Sequence, residues 1–450
     1  KECYASDYFD QLYEWALFLI DNDMAYVDSQ SSVLIAEQKG TPLIPGINSP
    51  FRDQPSVISR KIFTEMFEGK HAEGSCVLRA KIDMKSSNML MRDPVIYRIL
   101  DKSHHRTGDK WKVYPMYDWT HGQSDYIEKI SHSLCTLEFK PHRDLYEWFL
   151  KVLPTKNNLP KQTEFARLNL SYTITSKRKL KQLVDQNLVD GWDDPRMPTI
   201  SGFRRRGYTP AALRNFVKAA GIAKRENVIE ASLLEFCVRE DLNKIAPRIN
   251  AVLNPVKLTI INYDNDEEYL NGEINPEQPD LGSRKIPFSK NLFIEKEDFK
   301  EHANRKFFRL TIGKEVRLKN AYIIKAESVN IDKNGNVIEI LCTYDKDSKS
   351  GSGSESSKRK VKGTLHWVSQ KHAIKAHVKI YDRLFMDPSP DKHKNKNFIE
   401  FINPNSLNIQ TAFVEPSILN AIVGKTYQFQ RIGYFNLDQT STPSNLVFNK

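Results

Sequence analysis

The sequence contains little cysteine and no long apolar run. Its five cysteines, Cys3, Cys76, Cys135, Cys237 and Cys342, are scattered, odd in number and form no C-x-x-C pair. This usage argues against a disulfide framework or a zinc ribbon and for reduced thiols in a cytoplasmic compartment. No apolar run approaches the roughly 18 residues of a membrane helix, and the N-terminal residues do not resemble a signal peptide. We therefore predict a cytoplasmic protein that is not embedded in a membrane.

Positive charge is in excess. Of the 450 residues, 40% are hydrophobic and 27% are charged, which suffices for ordinary hydrophobic cores and excludes a disordered chain. The formal net charge is +11. Such a balance favours a polyanionic partner, with nucleic acid ahead of a membrane surface. A basic protein without such a partner is the alternative at this point.

The first part of the chain mixes helix and strand patterns. Apolar residues at helical spacing predict a helix over residues 6–21, with Ser6 as its N-cap. Residues 75–84 and 93–100 have the pattern of strands. From 111–121 onward the pattern runs strand, loop, helix and strand, which indicates an α/β layer.

The middle of the chain, residues 180–245, is predicted to be helical. Its clearest helix occupies residues 209–221, where Thr209 can cap it, Pro210 lies in the first turn and Gly221 ends it. The predicted apolar face of this helix comprises Leu213, Phe216, Val217 and Ala220.

Residues 247–450 have the pattern of an all-β region large enough for two small barrels. The stretch 321–345 reads as two strands around an Asn-Gly hairpin turn, and 376–385 alternates apolar and polar residues. Between them, the Ser- and Gly-rich stretch 346–360 predicts a flexible, exposed loop.

One short stretch combines hydroxyl groups with concentrated positive charge. "SYTITSKRKL" (171–180) is rich in hydroxyl side chains and then places Lys177, Arg178 and Lys179 in a row. A solvated basic turn and a binding site for a polyphosphate both fit this local pattern. The stretch by itself leaves the two interpretations open.

Short blocks spread over nearly the whole chain carry a family resemblance. They are "YASDYFDQLYEWA" (4–16), "LRAKIDM" (78–84), "MRDPVIYRI" (91–99), "YPMYDWTH" (114–121), "HSLCTLEF" (132–139), "EFARLNLSYTITSKRKL" (164–180), "GWDDPRMPTISGFRRRGYT" (191–209), "GKEVRLKNAYIIKAE" (313–327), "KVKGTLHWVS" (360–369) and "YDRLF" (381–385). Each block is weak alone. Together they resemble the glutaminyl-tRNA synthetases, a family of class I aminoacyl-tRNA synthetases.

The resemblance implies an α/β fold followed by an all-β region. A Rossmann-type catalytic domain, mainly its second half, carries an inserted α+β domain that binds the acceptor stem. A helical domain leads to two C-terminal β-barrels that bind the anticodon. The implied segments are 1–7 for the end of the first catalytic half, 8–112 for the insertion, 113–179 for the second catalytic half, 180–246 for the helical domain and 247–450 for the barrels.

In this family, "ITSKR" (174–178) would occupy the place of the class I "KMSKS" loop that embraces ATP. Ser176 and Lys177 match its second Ser-Lys pair and are the candidate catalytic residues, while Thr175 stands where the family usually has Met. A lysine suits this role because its compact ammonium group can neutralise charge that grows on the phosphates as pyrophosphate leaves. The resemblance adds further candidates near the adenosine of ATP: Thr136, Arg167 and Leu168.

The other ATP signature of the family, a "HIGH"-type motif, does not occur in the sequence. In the family it lies upstream of the position of "YASDYF". The adjacent His104 and His105 cannot replace it, because they lie in a loop-like context. We therefore expect that the full-length protein is an enzyme, and that this chain alone lacks half of an ATP site and is inactive.

Two candidate residues for the amino-acid pocket lie in "YPMYDWTH". Tyr117 matches the tyrosine that contacts the side-chain amide of glutamine, and His121 lies close by in sequence. A phenol both donates and accepts hydrogen bonds, so it suits a neutral amide better than a carboxylate. An aromatic core strand is the alternative from the local sequence alone. Cys135 we take as structural, since class I activation needs no nucleophile.

The resemblance also implies residues that contact tRNA. One group is the segment Ala223, Lys224, Arg225, Glu226, Asn227, Val228, Ile229 and Glu230, which matches a loop on the inside of the tRNA. The other is the predicted anticodon surface, with Arg248, Arg309, Arg317, Gln428 and Arg431. Phosphate contacts by the first group would add affinity without sequence information, whereas arginine and glutamine can read the edges of unstacked bases.

The implied activity is ATP-dependent ligation of L-glutamine to tRNA(Gln) through glutaminyl-adenylate. ATP enters as its Mg²⁺ complex, no tightly bound cofactor or protein-held metal is expected, and the protein is expected to be a monomer. Two alternatives are a glutamyl-tRNA synthetase of the same subclass and a non-catalytic protein that only binds tRNA. The stretch from Tyr117 to His121 favours glutamine over glutamate, and the Ser176-Lys177 pair disfavours a purely binding role.

Overall fold

A computed structural model of the protein describes residues 2–156 and 158–450. Lys1 and Asn157, which fall in the first and third of the predicted segments, lie outside the described residues.

The chain forms two units. The first comprises Lys1–Arg167 and Ile222–Asn227, and the second comprises Leu168–Gly221 and Val228–Lys450. The boundary at residues 167 and 168 therefore falls inside the predicted segment 113–179.

The first unit contains five α-helices and six strands among its described residues. The helices are α1 (Phe9–Asp21), α2 (Ser32–Gln38), α3 (Ser56–Phe67), α4 (Tyr117–Ile127) and α5 (Arg143–Val152). The strands are β1 (Ala25–Asp28), β2 (Val77–Ala80), β3 (Val95–Ile99), β4 (Val113–Pro115), β5 (His132–Thr136) and β6 (Lys161–Phe165).

Strands β1 to β4 form an antiparallel sheet in chain order. Leu78 in β2 pairs with both Val27 in β1 and Tyr97 in β3. The strands predicted over 75–84 and 93–100 are thus confirmed, although both are shorter than predicted. The sheet shares one hydrophobic core with α1, α3, α4 and α5.

Helix α1 presents the predicted apolar face, and its buried side chains include Phe9, Leu12, Ala16, Leu19 and Ile20. The prediction that Ser6 caps this helix is wrong. Ala5–Tyr8 form a separate 3-10 turn, and α1 begins at Phe9 with Tyr8 as an N-cap that makes no side-chain bond. Ser6 lies inside that turn, so its hydroxyl is not placed at the open end of the helix, where a cap must be.

Strands β5 and β6 form a parallel pair that α5 connects. A parallel pair needs such a crossover connection, because two strands that run in one direction cannot be joined by a tight turn. Helix α4 leads from β4 into this pair. The α/β layer predicted from residue 111 onward is confirmed.

The second unit contains five α-helices and eighteen strands among its described residues. The helices are α6 (Lys177–Asp185), α7 (Ile200–Arg206), α8 (Pro210–Ala220), α9 (Ala231–Ile245) and α10 (Glu355–Lys358). The first nine strands are β7 (Asn169–Leu170), β8 (Val228–Ile229), β9 (Arg248–Ile249), β10 (Ala251–Val252), β11 (Pro255–Ile260), β12 (Glu267–Glu273), β13 (Ser283–Ser289), β14 (Asn291–Glu295) and β15 (Glu315–Leu318). The remaining nine are β16 (Ile323–Ile331), β17 (Val337–Asp345), β18 (Thr364–Leu365), β19 (Val368–Ser369), β20 (Ile374–Tyr381), β21 (Leu407–Val414), β22 (Thr426–Phe429), β23 (Gly433–Leu437) and β24 (Leu446–Asn449).

Helix α8 forms as predicted. The Thr209 hydroxyl accepts a hydrogen bond from the Ala212 backbone N–H at 3.0 Å, and Gly221 ends the helix with a left-handed φ of 71°. Its buried face is formed by Ala212 and Phe216. Val217, predicted to lie on that face, is exposed, because it follows Phe216 by one position and is turned away from the core.

The β region contains two seven-stranded sheets, each with its own core, which correspond to the predicted pair of barrels, and a separate antiparallel pair, β12–β13. The central sheet has the strand order β18-β15-β16-β17-β11-β14-β19. The C-terminal sheet has the order β10-β21-β20-β24-β23-β22-β9. The Asn-Gly turn is confirmed, because Asn334 and Gly335 connect β16 to β17.

The stretch 346–360 is mostly exposed, as predicted, but it contains regular structure. It contains a 3-10 turn and helix α10, and Ser348 is fully buried. The guanidinium group of Arg317 donates hydrogen bonds to the carbonyl oxygens of Ser348, Ser357 and Arg359 at 2.9–3.2 Å. One side chain from outside the stretch therefore holds three carbonyl groups of backbone that composition alone marks as unstructured.

Candidate functional site

The basic stretch 174–178 lies at the start of helix α6. Ile174 is buried in a core with Leu180 and Leu183 of the helix, which anchors the stretch on both sides. Ser176 occupies the N-cap position but makes no side-chain cap bond, and Lys177 is the first helical residue. The first N–H groups of the helix therefore lack a capping side chain.

The cations at this helix start differ in their partners. Lys179 forms an ion pair with Asp391, with 3.4 Å between its Nζ and the carboxylate. Within residues 2–156 and 158–450, Lys177 and Arg178 form no ion pair, and both are exposed. Cations in the first turn of a helix are disfavoured by its dipole, and an anion there is favoured. The stretch is therefore suited to bind a polyanion.

The backbone that leads into this stretch is fixed by β7 and β8. The two strands pair in parallel, with Leu170 opposite Ile229. The buried Ser171 hydroxyl donates to Glu230 at 3.0 Å and accepts from the Ala231 N–H at 2.9 Å. Sequence reasoning did not single out Ser171, because its partners are about 60 positions away in the chain.

The candidates for the adenosine side divide between the two units. Thr136 and Arg167 belong to the first unit, whereas Leu168, Thr175, Ser176 and Lys177 belong to the second. The Leu168 side chain is exposed at the start of the second unit.

Glu138 connects Thr136 to Arg167, a link that the sequence did not reveal. The Thr136 hydroxyl donates to Glu138 Oε2 at 2.6 Å, and Arg167 donates to Glu138 Oε1 at 3.1 Å. The hydrogen bond from Thr136 and the charge of Arg167 lower the pKa of Glu138. The side chains of Thr136 and Arg167 are thus both positioned by one carboxylate.

Tyr117 and His121 lie together on helix α4. The centres of their rings are 5.3 Å apart, and Phe139 lies 5.6 Å from Tyr117. Tyr117 is the first residue of the helix and is 54% exposed, so it does not belong to an aromatic core strand. Burial of its ring edge and nearby negative charge raise the pKa of Tyr117, which keeps the phenol neutral.

Polar groups surround His121. Its Nε2 lies 3.0 Å from Ser133 Oγ and 3.3 Å from Asp125 Oδ2. The Tyr146 hydroxyl donates to the same Asp125 oxygen at 2.9 Å. Cys135 lies close to Tyr117, and burial raises the pKa of its thiol, so Cys135 stays protonated at neutral pH.

The segment 223–230 is mostly exposed, and the unit boundary after Asn227 divides it. In the first unit, Lys224 places its Nζ 5.8 Å from the centre of the Phe165 ring. The carbonyl of Ala223 accepts from the Ala166 N–H at 2.8 Å, which fixes the base of the segment. In the second unit, Glu230 is engaged by Ser171.

Arg309 and Arg431 share one carboxylate, that of Asp298. Arg431 makes two hydrogen bonds to it, at 2.6 and 2.9 Å, and Arg309 Nε lies 3.2 Å from Oδ1. The Asp298 side chain is 3% exposed, whereas those of Arg309 and Arg431 are 44% and 32% exposed. The structure therefore brings together two of the five residues predicted to bind the anticodon.

Arg248 and Gln428 form a second pair, on neighbouring strands β9 and β22. Gln428 donates to the Tyr434 hydroxyl at 3.2 Å, and both Tyr434 and Arg248 donate to Asn243 Oδ1 at 3.3 Å. The remaining candidate, Arg317, makes hydrogen bonds to the backbone of 346–360, as described above.

A groove of about 290 Å³ lies beside Arg309. Basic and aromatic side chains line it, including Arg305, Phe307, Phe308 and Lys362. Phe308 is exposed, and Lys362 Nζ lies 5.6 Å from the centre of its ring. An exposed ring between cations is the arrangement on which an unstacked base can lie.

Two features are absent from the described part of the chain. No group of three or more His, Cys, Asp or Glu side chains there is placed to hold a metal ion. Among the same residues, no helix combines the length and apolar character that crossing a membrane requires.

Three family patterns match the chain. The pattern described as tRNA synthetases class I (E and Q), catalytic domain, matches residues 1–244. Patterns for the anti-codon binding domain of the same class match residues 246–345 and 364–438.

Curated relatives match nearly the full chain. The glutamine–tRNA ligase of Proteus mirabilis (strain HI4320) is 51% identical over 447 residues, which are 99% of this chain and 80% of the relative. That of Vibrio vulnificus (strain YJ016) is 52% identical over 450 residues, 100% of this chain and 80% of the relative. A solved glutamate tRNA ligase from Elizabethkingia meningosepticum CCUG26117 aligns with a TM-score of 0.38 and 16% identity over 54% of each chain, too weakly to inform the fold.

Proposed function

The chain belongs to the class I tRNA synthetases (E and Q), and we propose that it carries out the ATP-dependent ligation of L-glutamine to tRNA(Gln). The observation that carries this proposal is the start of helix α6. There Ser176 and Lys177 match the ATP loop of the family, and Lys177 has no anionic partner among the described residues. A free cation at the positive end of a helix is suited to the phosphates of ATP.

In the first proposed step, a carboxylate oxygen of glutamine attacks the α-phosphorus of ATP. The bond to the bridging oxygen breaks, pyrophosphate leaves, and glutaminyl-adenylate forms. Mg²⁺ enters on the ATP phosphates and supplies further positive charge. Lys177 neutralises the charge that grows on the leaving phosphates, and Ser176 precedes it at the uncapped start of the helix, where its hydroxyl is proposed to meet the nucleotide.

In the second proposed step, the 2′-hydroxyl of the terminal ribose of tRNA attacks the adenylate carbonyl. An ester forms, AMP leaves, and the hydroxyl proton is released. The contribution of the chain is to position substrates, because no residue is needed as a covalent nucleophile. The protonated Cys135 fits this view. Thr136, Arg167 and Leu168 are proposed to border the adenosine.

Glutamine is favoured over glutamate by the charges around Tyr117. The neutral phenol can both donate to and accept from a side-chain amide. Among the described residues, no lysine or arginine forms an ion pair with His121 or lies over the Tyr117 ring, and the carboxylate of Asp125 lies 3.3 Å from His121. A glutamate carboxylate in that pocket would meet negative charge without a compensating cation.

For tRNA binding we propose two contributions. Lys224 and Arg225 contact phosphates, which adds affinity that does not depend on sequence. The arginines of the β region, Arg248, Arg309, Arg317 and Arg431, read anticodon bases together with Gln428, supported by the groove at Phe308. We further propose a monomer in the cytoplasm.

Aminoacylation of tRNA(Gln) by the full-length protein, with glutamine or glutamate, tests the proposal. We expect charging with glutamine in strong preference to glutamate, and ATP–pyrophosphate exchange only when tRNA is present. Preferential charging with glutamate would favour the glutamyl alternative. Tight tRNA binding without any ATP–pyrophosphate exchange would favour a protein that only binds tRNA.

A further inference from the structure

Asp298 lies at the contact between the two β-sheets and receives arginines from both. It ends a 3-10 turn that follows β14 of the central sheet. Arg309 lies further along the same connection, between β14 and β15. Arg431 lies between β22 and β23 of the C-terminal sheet. The two arginines therefore converge on a single carboxylate from connections of two different sheets.

The main chain on both sides of this contact is fixed. The carbonyl of Asp298 accepts from the Leu310 N–H at 3.0 Å, which ties the aspartate to the residue after Arg309. Arg431 has a left-handed φ of 67°, which is costly for a residue with a side chain. A strained backbone that is kept in place by a bidentate bond is typical of a functional position.

A buried histidine fixes the other side of Arg431. Arg431 Nη1 donates to His366 Nδ1 at 3.2 Å, so that ring nitrogen carries no proton. The Nε2 of His366 then carries the proton and lies 3.5 Å from Glu295 Oε1. His366 is 2% exposed. The guanidinium group of Arg431 is thus clamped between two buried acceptors, Asp298 and His366.

The clamped arginines are partly exposed, and each keeps a donor that has no partner among the described residues. In Arg309, Nε faces Asp298 and Nη1 donates to the Glu297 carbonyl at 3.1 Å, which leaves Nη2 available. In Arg431, both bonds to Asp298 use Nη1 and Nη2, which leaves Nε available. A guanidinium group held on one edge reads a base with the other at a smaller loss of side-chain entropy.

A second buried carboxylate, which joins the end of β21 in the C-terminal sheet to the β12–β13 pair, provides the contrast. Glu415 pairs with Arg284 and also accepts from the Asn250 N–H at 2.9 Å. There the side chains of the arginine and the glutamate are only 8% and 2% exposed. The Arg284–Glu415 pair is sealed, as a purely structural pair would be, whereas the arginines on Asp298 are open to solvent.

We propose that Asp298 is the positioning residue for anticodon reading, because it holds Arg309 and Arg431 as one pre-arranged pair that RNA meets together. The proposal rests on the anticodon role proposed above for these arginines. The proposal adds that residues of both sheets hold these two arginines in place before RNA binds. Asp298 itself contacts no base, since its carboxylate is buried beneath the two guanidinium groups.

The test is a mutant cycle read out as anticodon preference. Asp298→Asn keeps the size of the side chain and removes its charge. It is introduced into the wild-type protein and into a background with Arg309→Gln and Arg431→Gln. The ratio of affinities for a tRNA(Gln) transcript and for the same transcript with one changed anticodon base is then measured at fixed salt.

We expect Asp298→Asn to lower this ratio about tenfold in the wild type, a size borrowed from base-reading arginines. In the background that carries Arg309→Gln and Arg431→Gln, Asp298→Asn should cause no further loss of preference, because a residue that acts through its partners then has nothing left to position. An unchanged ratio in the wild type, or an equal loss in both backgrounds, would overturn the proposal.

Glu415→Gln is the matched control, because it removes the charge of a buried carboxylate that also holds an arginine from another sheet of the β region. It should lower the thermal unfolding midpoint about as much as Asp298→Asn and leave the anticodon ratio unchanged. An equal loss of preference in both variants would show that general weakening of the β region is the cause. Should Asp298→Asn not fold, Asp298→Glu replaces it, since it keeps the charge but displaces it by one methylene group.

The test separates this proposal from its premise. If the double mutant with Arg309→Gln and Arg431→Gln keeps full anticodon preference, the proposed anticodon role of these two arginines fails, and the role of Asp298 fails with it. If the arginine changes abolish preference and Asp298→Asn does not alter it, only the role of Asp298 is overturned.

Discussion

Two basic regions of the molecule hold their cations in opposite ways. At the start of helix α6, Lys177 and Arg178 are exposed and have no ion-pair partner among the described residues. In the β region, Arg309 and Arg431 are fixed on Asp298, and Arg317 is fixed on backbone carbonyl groups. The first region presents cations that no ion pair holds in place. The second presents guanidinium groups whose orientation is fixed by hydrogen bonds.

The difference corresponds to two kinds of ligand. Phosphates that change charge and position during a reaction are served by a flexible ammonium group, which can follow them. Base edges are planar, and they are read by donors that are already in place. The two ways of holding a cation therefore predict different losses when each cation is removed, in rate, in specificity or in stability.

The largest effect is expected for Lys177→Ala. It removes a charge that is needed in the transition state of activation, so the rate of tRNA-dependent ATP–pyrophosphate exchange in the full-length protein should fall roughly a hundredfold, or about 3 kcal/mol. Affinity for tRNA should change little. An unchanged turnover number would mean that Lys177 is only a solvated turn residue.

Lys181→Ala is the control for that change. Lys181 lies one turn further along α6 and pairs with Asp185 at 2.5 Å, so it is an exposed but engaged cation on the same helix. Its removal should leave the exchange rate within about twofold, since exposed pairs of this spacing contribute only a few tenths of a kcal/mol.

The second-largest effect is expected for Arg309→Ala, and it is measured as preference for the cognate anticodon. Loss of one base-reading guanidinium group should lower the preference for the cognate anticodon by about 1–3 kcal/mol. A titration with tRNA(Gln) and with an anticodon variant, at two salt concentrations, measures it. A loss of equal size for both RNAs would identify Arg309 as a phosphate contact instead.

A smaller effect, on folding, is expected for Arg317→Ala. It leaves the carbonyl groups of Ser348, Ser357 and Arg359 without their donor, so the free energy of unfolding in urea should fall by about 1–2 kcal/mol. Lys177→Ala, which removes a cation that has no partner and opposes the helix dipole, should not lower stability. Equal losses of unfolding free energy in the two variants would contradict the distinction between cations that hydrogen bonds hold in place and cations without a partner.

Local signals made part of the fold predictable from sequence. Thr209, Pro210 and Gly221 mark the ends of α8, and the Asn334-Gly335 pair marks a hairpin, because each acts on its own backbone. Ser6 failed as a cap even at this level, since a preceding 3-10 turn moved the start of α1 to Phe9.

Contacts between distant residues could not be predicted. Asp298 and Arg431 are separated by 133 positions, and nothing in the spacing of either residue reveals the other. Composition did not reveal the regular structure of 346–360. Arg317, which holds three of its carbonyl groups, lies outside the stretch on β15. The family blocks identified the arginines of the site but not the carboxylate that holds two of them.

The smallest effect is expected for the exposed segment 223–227, where Lys224→Ala should weaken cognate tRNA and its anticodon variant alike. One lost phosphate contact should reduce the slope of log affinity against log salt by roughly 0.7–0.9. Lys70→Ala is the control, because Lys70 is also exposed in the first unit but pairs with Glu68 at 2.5 Å. If Lys224→Ala altered anticodon preference, this loosely held cation would contribute to specificity, and the contrast with the clamped arginines would fail.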